Sequence, residues 1–270
     1  APMSSWPFFS IWQERVNDYP SLTWQGLGGD INLSGQIQIS TCTDLQNIKN
    51  NVNGGYITGN YILMNNIDCS ATTTWNGGAG FKPIGNDTNQ FNGNLNGNNY
   101  TISNLYINRP AEYYVGLFGF AYKANISNVG LINVNMRGDR GVGGLIGTSV
   151  TNGIISNSYL IGNVSGIEYV GGLVGWLERG NISNSYATAN VNGVLNYAGG
   201  LIGIFLYNTN ISNSYATANV SGTGYVGGLV GGSLTKGTIS NSYSIGNVSG
   251  TDYVGGLVGG SLTKGTISNS

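Results

Sequence analysis

The side chains able to do acid–base chemistry are few and scattered. Between Gly141 and Thr251 the only carboxylates are Glu168 and Glu178, and the only basic side chains are Arg179 and Lys236. Polysaccharide cleavage needs clustered carboxylates or an Arg/Lys base on one face. Glu178 and Arg179 adjoin in a turn and read as an exposed local pair. Asp44, Asp68, Asp87 and Lys82 could converge near the start, but four charges so spread read as solvated surface. With no histidine and two cysteines, the commonest metal ligand is missing and a Cys-based zinc site is too poor in ligands. Asp252 is the only acid in the late repeats, too little charge for a tight calcium roll. Thr188 and Thr217 match an ice-binding column, but Ser244 and Leu160 break it. No catalytic residue, metal site or cofactor is expected.

The scaffold that must position these groups is as unusual as their scarcity. Of 270 residues 46 are glycine and 8% are charged, yet 40% are hydrophobic and 11% aromatic, so the chain should fold. A net charge of −1 with no basic cluster leaves no footprint for nucleic acid or an anionic membrane. The aromatic run from Trp6 to Trp12, broken by Pro7 and Ser10, is far short of the ~20 residues a spanning helix needs, so no membrane insertion is expected. Ala1 reads as a mature end left after processing, which implies export.

A repeat organises the rest. Leu117, Leu145, Leu173, Leu201, Leu229 and Leu257 recur every 28 residues, each inside a Gly-Leu-apolar-Gly tetrad. Each tetrad is followed by an Ile-Ser-Asn triplet, at Ile126, Ile155, Ile182, Ile211, Ile239 and Ile267. Tyr159, Tyr186, Tyr215 and Tyr243 form one tyrosine column, and Tyr169, Tyr197, Tyr225 and Tyr253 a second. Residues 225–242 and 253–270 are identical.

Within a copy, Ile239-Ser-Asn-Ser-Tyr-Ser-Ile245 alternates with period two, predicting a strand with Ile239, Tyr243 and Ile245 on one face. Val226-Gly-Gly-Leu-Val230 predicts a second, Gly-rich strand, with Gly/Asn turns between. Two or three short strands in a 28-residue unit predict an all-β fold, a right-handed parallel β-helix (β-solenoid) with about 28 residues per coil. Coils then stack at about 4.8 Å and like residues form ladders, including an asparagine ladder at a corner. A charge repeated at that spacing repels its own copy, which accounts for the low charge. Eight glycines from 223 to 250 imply that many occupy corners with positive φ.

The tetrads, their spacing and Ile211-Ser-Asn-Ser-Tyr-Ala-Thr-Ala-Asn-Val-Ser-Gly222 resemble the GLUG-motif repeats of bacterial and archaeal cell-surface proteins. Tyr61-Ile-Leu-Met-Asn-Asn-Ile-Asp68, Phe81-Lys-Pro-Ile-Gly85, Phe91-Asn-Gly-Asn-Leu-Asn-Gly97 and Tyr100-Thr-Ile-Ser-Asn-Leu105 resemble the segment that often precedes them. The resemblance covers about residues 39–270 and implies a cell-surface setting. The family occurs in adhesins, in stalks and beside peptidase domains.

Three regions follow: an aromatic N-terminal arm (1–34), a cap with the first coils (35–110) and the repeat array (111–270), the last two one continuous solenoid. Thr41 or Thr43 caps a short helix with Leu45, Ile48 and Val52 on one face, stopped by Gly54-Gly55. Cys42 and Cys69, 27 residues apart, fit neighbouring layers at disulfide distance, with two buried thiols as the alternative. Trp6, Phe8, Phe9 and Trp12 in the arm either fold over the first coil or dock on a neighbouring subunit by strand addition. The repeat stops mid-copy at Ser270, so either the polypeptide continues or that end is an interface.

Nine Asn-x-Ser/Thr sequons occur, and Asn163, Asn219 and Asn247, read as turn sites, are acceptors for glycosylation where a host has the machinery. Tyr169, Tyr197, Tyr225 and Tyr253 are the candidate contact face. The expected function is a non-enzymatic structural or adhesive solenoid, extracellular or at the cell surface. Its partners would be copies of itself or cell-surface glycans and proteins. The alternatives are a filament subunit joined head to tail and a carbohydrate-active β-helix enzyme.

Overall fold

The computed structural model describes residues 35–233, 235–260 and 265–270, and the backbone of three short strands before them, Trp12–Gln13, Ser21–Thr23 and Asp30–Ile31. One coil can be followed through the strands Tyr159–Gly166, Glu168–Gly171, Val174–Glu178 and Asn181–Ser183. The chain then enters Tyr186–Gly193, which pairs parallel with the first of these, residue for residue from Tyr159↔Tyr186 to Gly166↔Gly193. Four parallel stacks result, and one runs from Ile37–Ile39 to Thr266–Ser268. The fold is an all-β solenoid, as the period predicts. Partners in adjacent coils lie 24 residues apart at the first step, 34–36 at the second and 27–29 in the array. The longer coils accommodate an inserted 3-10 segment, Ser70–Gly78.

Two strand assignments are corrected. The Gly-rich stretch is not one strand: Tyr225–Gly227 and Val230–Ser233 lie in different sheets, with Gly228 and Leu229 at the corner between them. Likewise 239–245 is divided between Gly237–Ser240 and Tyr243–Ile245. Asn241 turns that corner with φ of 47°. The turn reverses which side faces inward, so Ile239 is buried while Tyr243 and Ile245 are exposed. Period-two reasoning fails across a corner because the alternation restarts there.

Left-handed corners are held mainly by side chains other than glycine. Asn128, Asn157, Asn184, Asn213, Asn241 and Asn269 all have φ between 47° and 57°. Asparagine tolerates this region better than other L residues. In the array, Gly141, Gly162 and Gly246 are the described glycines with positive φ, so the expectation that many glycines serve such corners is corrected. Most of them instead permit close backbone approach. A Cβ on Gly172 or Gly200 would lie 2.2 or 2.1 Å from a carbonyl oxygen of the next coil.

Inside, Leu117, Leu145, Leu173, Leu201 and Leu229 form one buried column and Ile126, Ile155, Ile182, Ile211 and Ile239 another. Burying each such side chain contributes roughly 1.5–3 kcal/mol. The first coils are filled by larger groups, with Phe91 and Phe118 rings 4.3 Å apart. Narrower array coils take Ala187 and Ala216 at inward positions.

Thr41 caps the helix Cys42–Asn47 in a capping box: Asp44 N–H donates to Thr41 Oγ1 (3.1 Å), and Thr41 N–H to Asp44 Oδ2 (2.9 Å). Leu45 and Ile48 are buried as expected, but Val52 is exposed. Gly54 and Gly55 do not stop the helix. They turn a hairpin between Val52–Asn53 and Tyr56–Ile57. Cys42 and Cys69 form a disulfide with Cα atoms 5.3 Å apart. Replacing both by serine is expected to lower the unfolding free energy by about 3.5 kcal/mol, the loop-entropy value for this separation. Urea unfolding of the double variant checks it, and an unchanged midpoint would contradict it.

The strands Trp12–Gln13, Ser21–Thr23 and Asp30–Ile31 pair antiparallel in succession, and Ile31 pairs with Ile37 of the first coil. The backbone thereby covers an otherwise open sheet edge within its own chain. The side chains of Trp6, Phe8, Phe9 and Trp12 lie outside the described residues.

Candidate functional site

Outward columns, not a pocket of convergent charges, are what this fold presents. Tyr159, Tyr186, Tyr215 and Tyr243 stack with centroids 4.8–5.0 Å apart and planes within 3° of parallel. Tyr169, Tyr197, Tyr225 and Tyr253 form the second stack, at 5.7, 4.8 and 4.5 Å. In this second stack Tyr169, Tyr197 and Tyr225 are partly buried and Tyr253 is exposed. Gly232 and Gly260 leave room for the Tyr197 and Tyr225 rings, which a Cβ would meet at 2.5 and 2.8 Å. Both columns are thus brought together, with a consequence the sequence did not reveal. Each inner ring has both faces taken by its neighbours, so what these rings turn outward is a line of edges and hydroxyls. Burial raises the Tyr186, Tyr197 and Tyr215 hydroxyl pKa values, and neighbouring tyrosines add to the shift, so these groups stay neutral donors.

Beside the first stack lies a shallow trough running along the solenoid axis. Ile161, Thr188, Thr217 and Ile245 form one wall, with the threonine hydroxyls 2.7 Å apart. The residues flanking Thr188 and Thr217 in that column are therefore Ile161 and Ile245, not Leu160 and Ser244. Asn163, Asn190 and Asn219 form the other wall as an amide ladder, Asn190 Nδ2 donating to Asn163 Oδ1 (3.0 Å) and Asn219 Nδ2 to Asn190 Oδ1 (3.3 Å). Gly162, Ala189, Ala218 and Gly246 make the floor.

The reading of Asn163 and Asn219 as turn sites is corrected. Asn163 and Asn219 lie within the strands Tyr159–Gly166 and Asn219–Gly222, where parallel pairing continues across them. Asn247 lies between two strands and donates its backbone N–H to Asn219 Oδ1. The Ile-Ser-Asn corner ladder is present: Asn157 Nδ2 donates to Asn128 Oδ1 (3.2 Å) and Asn241 Nδ2 to Asn213 Oδ1 (3.3 Å).

A buried serine ladder escaped the sequence reading. The Ser185 hydroxyl accepts from the Ser158 N–H, Ser214 from the Ser185 N–H and Ser242 from the Ser214 N–H, at 3.1–3.2 Å. Each hydroxyl also donates to the carbonyl two residues before it. The signal was the second serine of Ile-Ser-Asn-Ser, which follows the left-handed corner. There the parallel backbone ladder lapses, and the hydroxyl replaces the missing acceptor.

Charged groups are occupied locally. Glu168 pairs with Arg140 and accepts from Asn196 Nδ2 (2.9 Å), and Glu178 pairs with Arg179. Arg109 pairs with Glu112 and donates to the Phe81 carbonyl (3.0 Å). Asp44 serves the helix cap. Asp68 accepts from Ser70 and Asn104, and these bonds hold its carboxyl below the usual range, the Asn104 contact most. Asp87 is exposed beside Thr88.

The parallel ladders define the class, a β-solenoid built of repeated outward columns. Within its array, residues 166–192, 195–221 and 222–249 match the GLUG motif. The chain is 40% identical over 142 residues, 51% of its length, to halomucin of Haloquadratum walsbyi, of which it spans 2%. It is 40% identical over 137 residues, 48% of its length, to a protein of Evansella cellulosilytica named as a Gly-rich membrane protein, of which it spans 15%. Among solved structures, a candidate immunoglobulin A1 protease from Bacteroides ovatus aligns over 90% of this chain and 79% of its own, with TM-score 0.69 and 23% identity. That likeness is one of fold.

Proposed function

We propose that this chain is a non-enzymatic module of an exported surface protein, a rod whose columns make repeated weak contacts. The carrying observation is that one neutral chemistry recurs over successive coils, as in the Tyr159 stack and the Asn163 ladder. Many weak contacts held at fixed spacing bind far more tightly than any one of them. The relatives support the setting, one named halomucin and the other a membrane protein. No described helix is long and apolar enough to cross a membrane, so attachment would come through another element. The local pairing of Glu112, Glu168 and Glu178 supports contact rather than catalysis. The partners are neutral glycans, surface proteins or other copies of the rod.

Mass-sensing films of cellulose, mannan and the protein itself test this reading. Slow dissociation from at least one film, with no soluble product released, is expected. Absence of retention on every film, or release of oligosaccharide, would overturn it.

A further inference from the structure

We infer that the trough beside the Tyr159 stack binds an extended, uncharged, 1,4-linked polysaccharide lying along the solenoid axis, one sugar per coil. The inference rests on the contact reading above and names its ligand class.

Three features carry it. The first is pitch. The trough repeats once per coil, at the 4.8–5.0 Å spacing of the adjoining tyrosine rings. A pyranose in a straight 1,4-linked chain advances by nearly the same step, so successive sugars keep pace with successive coils, alternate ones turning opposite edges to the trough. Chemistry is the second. Ile161 and Ile245 offer apolar area at the two ends of one wall, and Thr188 and Thr217 offer hydroxyls between them. In the opposite ladder Asn190 and Asn219 each spend one N–H and one carbonyl lone pair on neighbours and Asn163 spends one lone pair, which leaves each amide a donor and an acceptor for the trough. Alternating C–H and hydroxyl surface on a sugar ring complements this mixture.

Charge and relief complete the case. None of the residues lining the trough is charged, which fits a neutral chain and leaves uronate carboxylates without a cation. The floor is kept low by small residues. Gly162 and Gly246 have positive φ, and a Cβ there would meet the Val134 or Ala218 carbonyl oxygen at 2.3 or 2.0 Å. The flanking tyrosines contribute hydroxyl edges, since their faces are already stacked. Recognition therefore proceeds by hydrogen bonding along the trough and not by the ring-on-sugar stacking that a tyrosine column first suggests.

Titration of the whole chain with cello-, xylo- and manno-oligosaccharides of two to six units, and with oligogalacturonate, tests the inference. In at least one neutral series affinity should rise with length up to four sugars and then level off, while oligogalacturonate should not bind. Thr188→Trp with Thr217→Trp fills the trough from an exposed and a half-buried position and should weaken binding about tenfold or more with the melting temperature kept. Ile154→Trp, on a different sheet, should leave binding unchanged. Failure of every neutral series, preference for oligogalacturonate, or indifference to the filling variant would overturn the inference. Retention on a film of the protein itself with no oligosaccharide binding would overturn the trough assignment alone. Loss of both would overturn the contact reading as well.

Discussion

Replacing Gly200 by alanine is expected to destabilise the protein by about 3 kcal/mol or more, a large loss for a single methyl group. A Cβ at this position would stand 2.1 Å from the Gly228 carbonyl oxygen and 2.7 Å from the Ala216 Cβ. No rotamer change relieves a clash with backbone. Nor can the next coil withdraw, because a Cβ on Gly228 would itself meet the Gly256 carbonyl oxygen at 2.1 Å. Strain at one corner is passed along the column, as expected when each repeat contacts only its neighbours. Urea unfolding gives the size of the loss. Hydrogen exchange should place it in the coils on either side of Gly200. An exposed change such as Ile154→Thr should stay within about 0.5 kcal/mol. If Gly200→Ala were equally mild, the corners would be looser than described.

Ser185→Val is expected to cost about 2–4 kcal/mol at this buried site, where valine has the shape of threonine but no hydroxyl. The substitution strips the Ser158 N–H of its acceptor, since the Ser185 hydroxyl receives that bond at 3.2 Å. It also removes the 2.8 Å bond from the hydroxyl to the Ser183 carbonyl. An unsatisfied buried donor costs roughly 1–3 kcal/mol, to which the lost second bond adds. Ser185→Thr keeps the hydroxyl and should recover part of the loss, limited by the space for its methyl group. Were serine and valine equivalent here, the ladder would be a by-product of stacking and not a support for the corner.

These two positions show where sequence reading succeeds and where it stops. The 28-residue recurrence of Leu117 to Leu257 revealed the solenoid because a stacked fold requires like residues at like positions. The Cys42–Cys69 separation pointed to neighbouring layers for the same reason. Burial direction could not be carried past a corner. Ser156 and Ser158 look alike in Ile-Ser-Asn-Ser, yet the Asn157 turn leaves the first partly exposed and the second buried. Glycine was misread as the corner residue because positive φ is its familiar use, whereas here asparagine takes that conformation and glycine takes the crowded approach. Stacking of the tyrosines was legible from their spacing. Its effect, that the inner rings keep no face for a ligand, emerged only with the ring planes.

Low charge has one physical origin in both stability and surface chemistry. An ionic side chain repeated at coil spacing would repel its own copy, whereas asparagine, serine and tyrosine gain from the same repetition. The ion pairs seen among the described residues lie across one coil, as in Arg140 with Glu168, or within a turn, as in Arg179 with Glu178. What selects against repeated charge inside the stack therefore also leaves a neutral, regularly spaced exterior.

The most direct measurement is the dissociation rate from the film that retains the protein, compared between the full chain and a version lacking residues 197–224. That deletion removes one coil and joins positions whose partners are already in register, Tyr197 being replaced by its stacked neighbour Tyr225. If function resides in repeated contact, the shortened rod should keep its fold by circular dichroism and leave the film several-fold faster. An unchanged dissociation rate with the fold intact would locate binding at a single site and contradict the account.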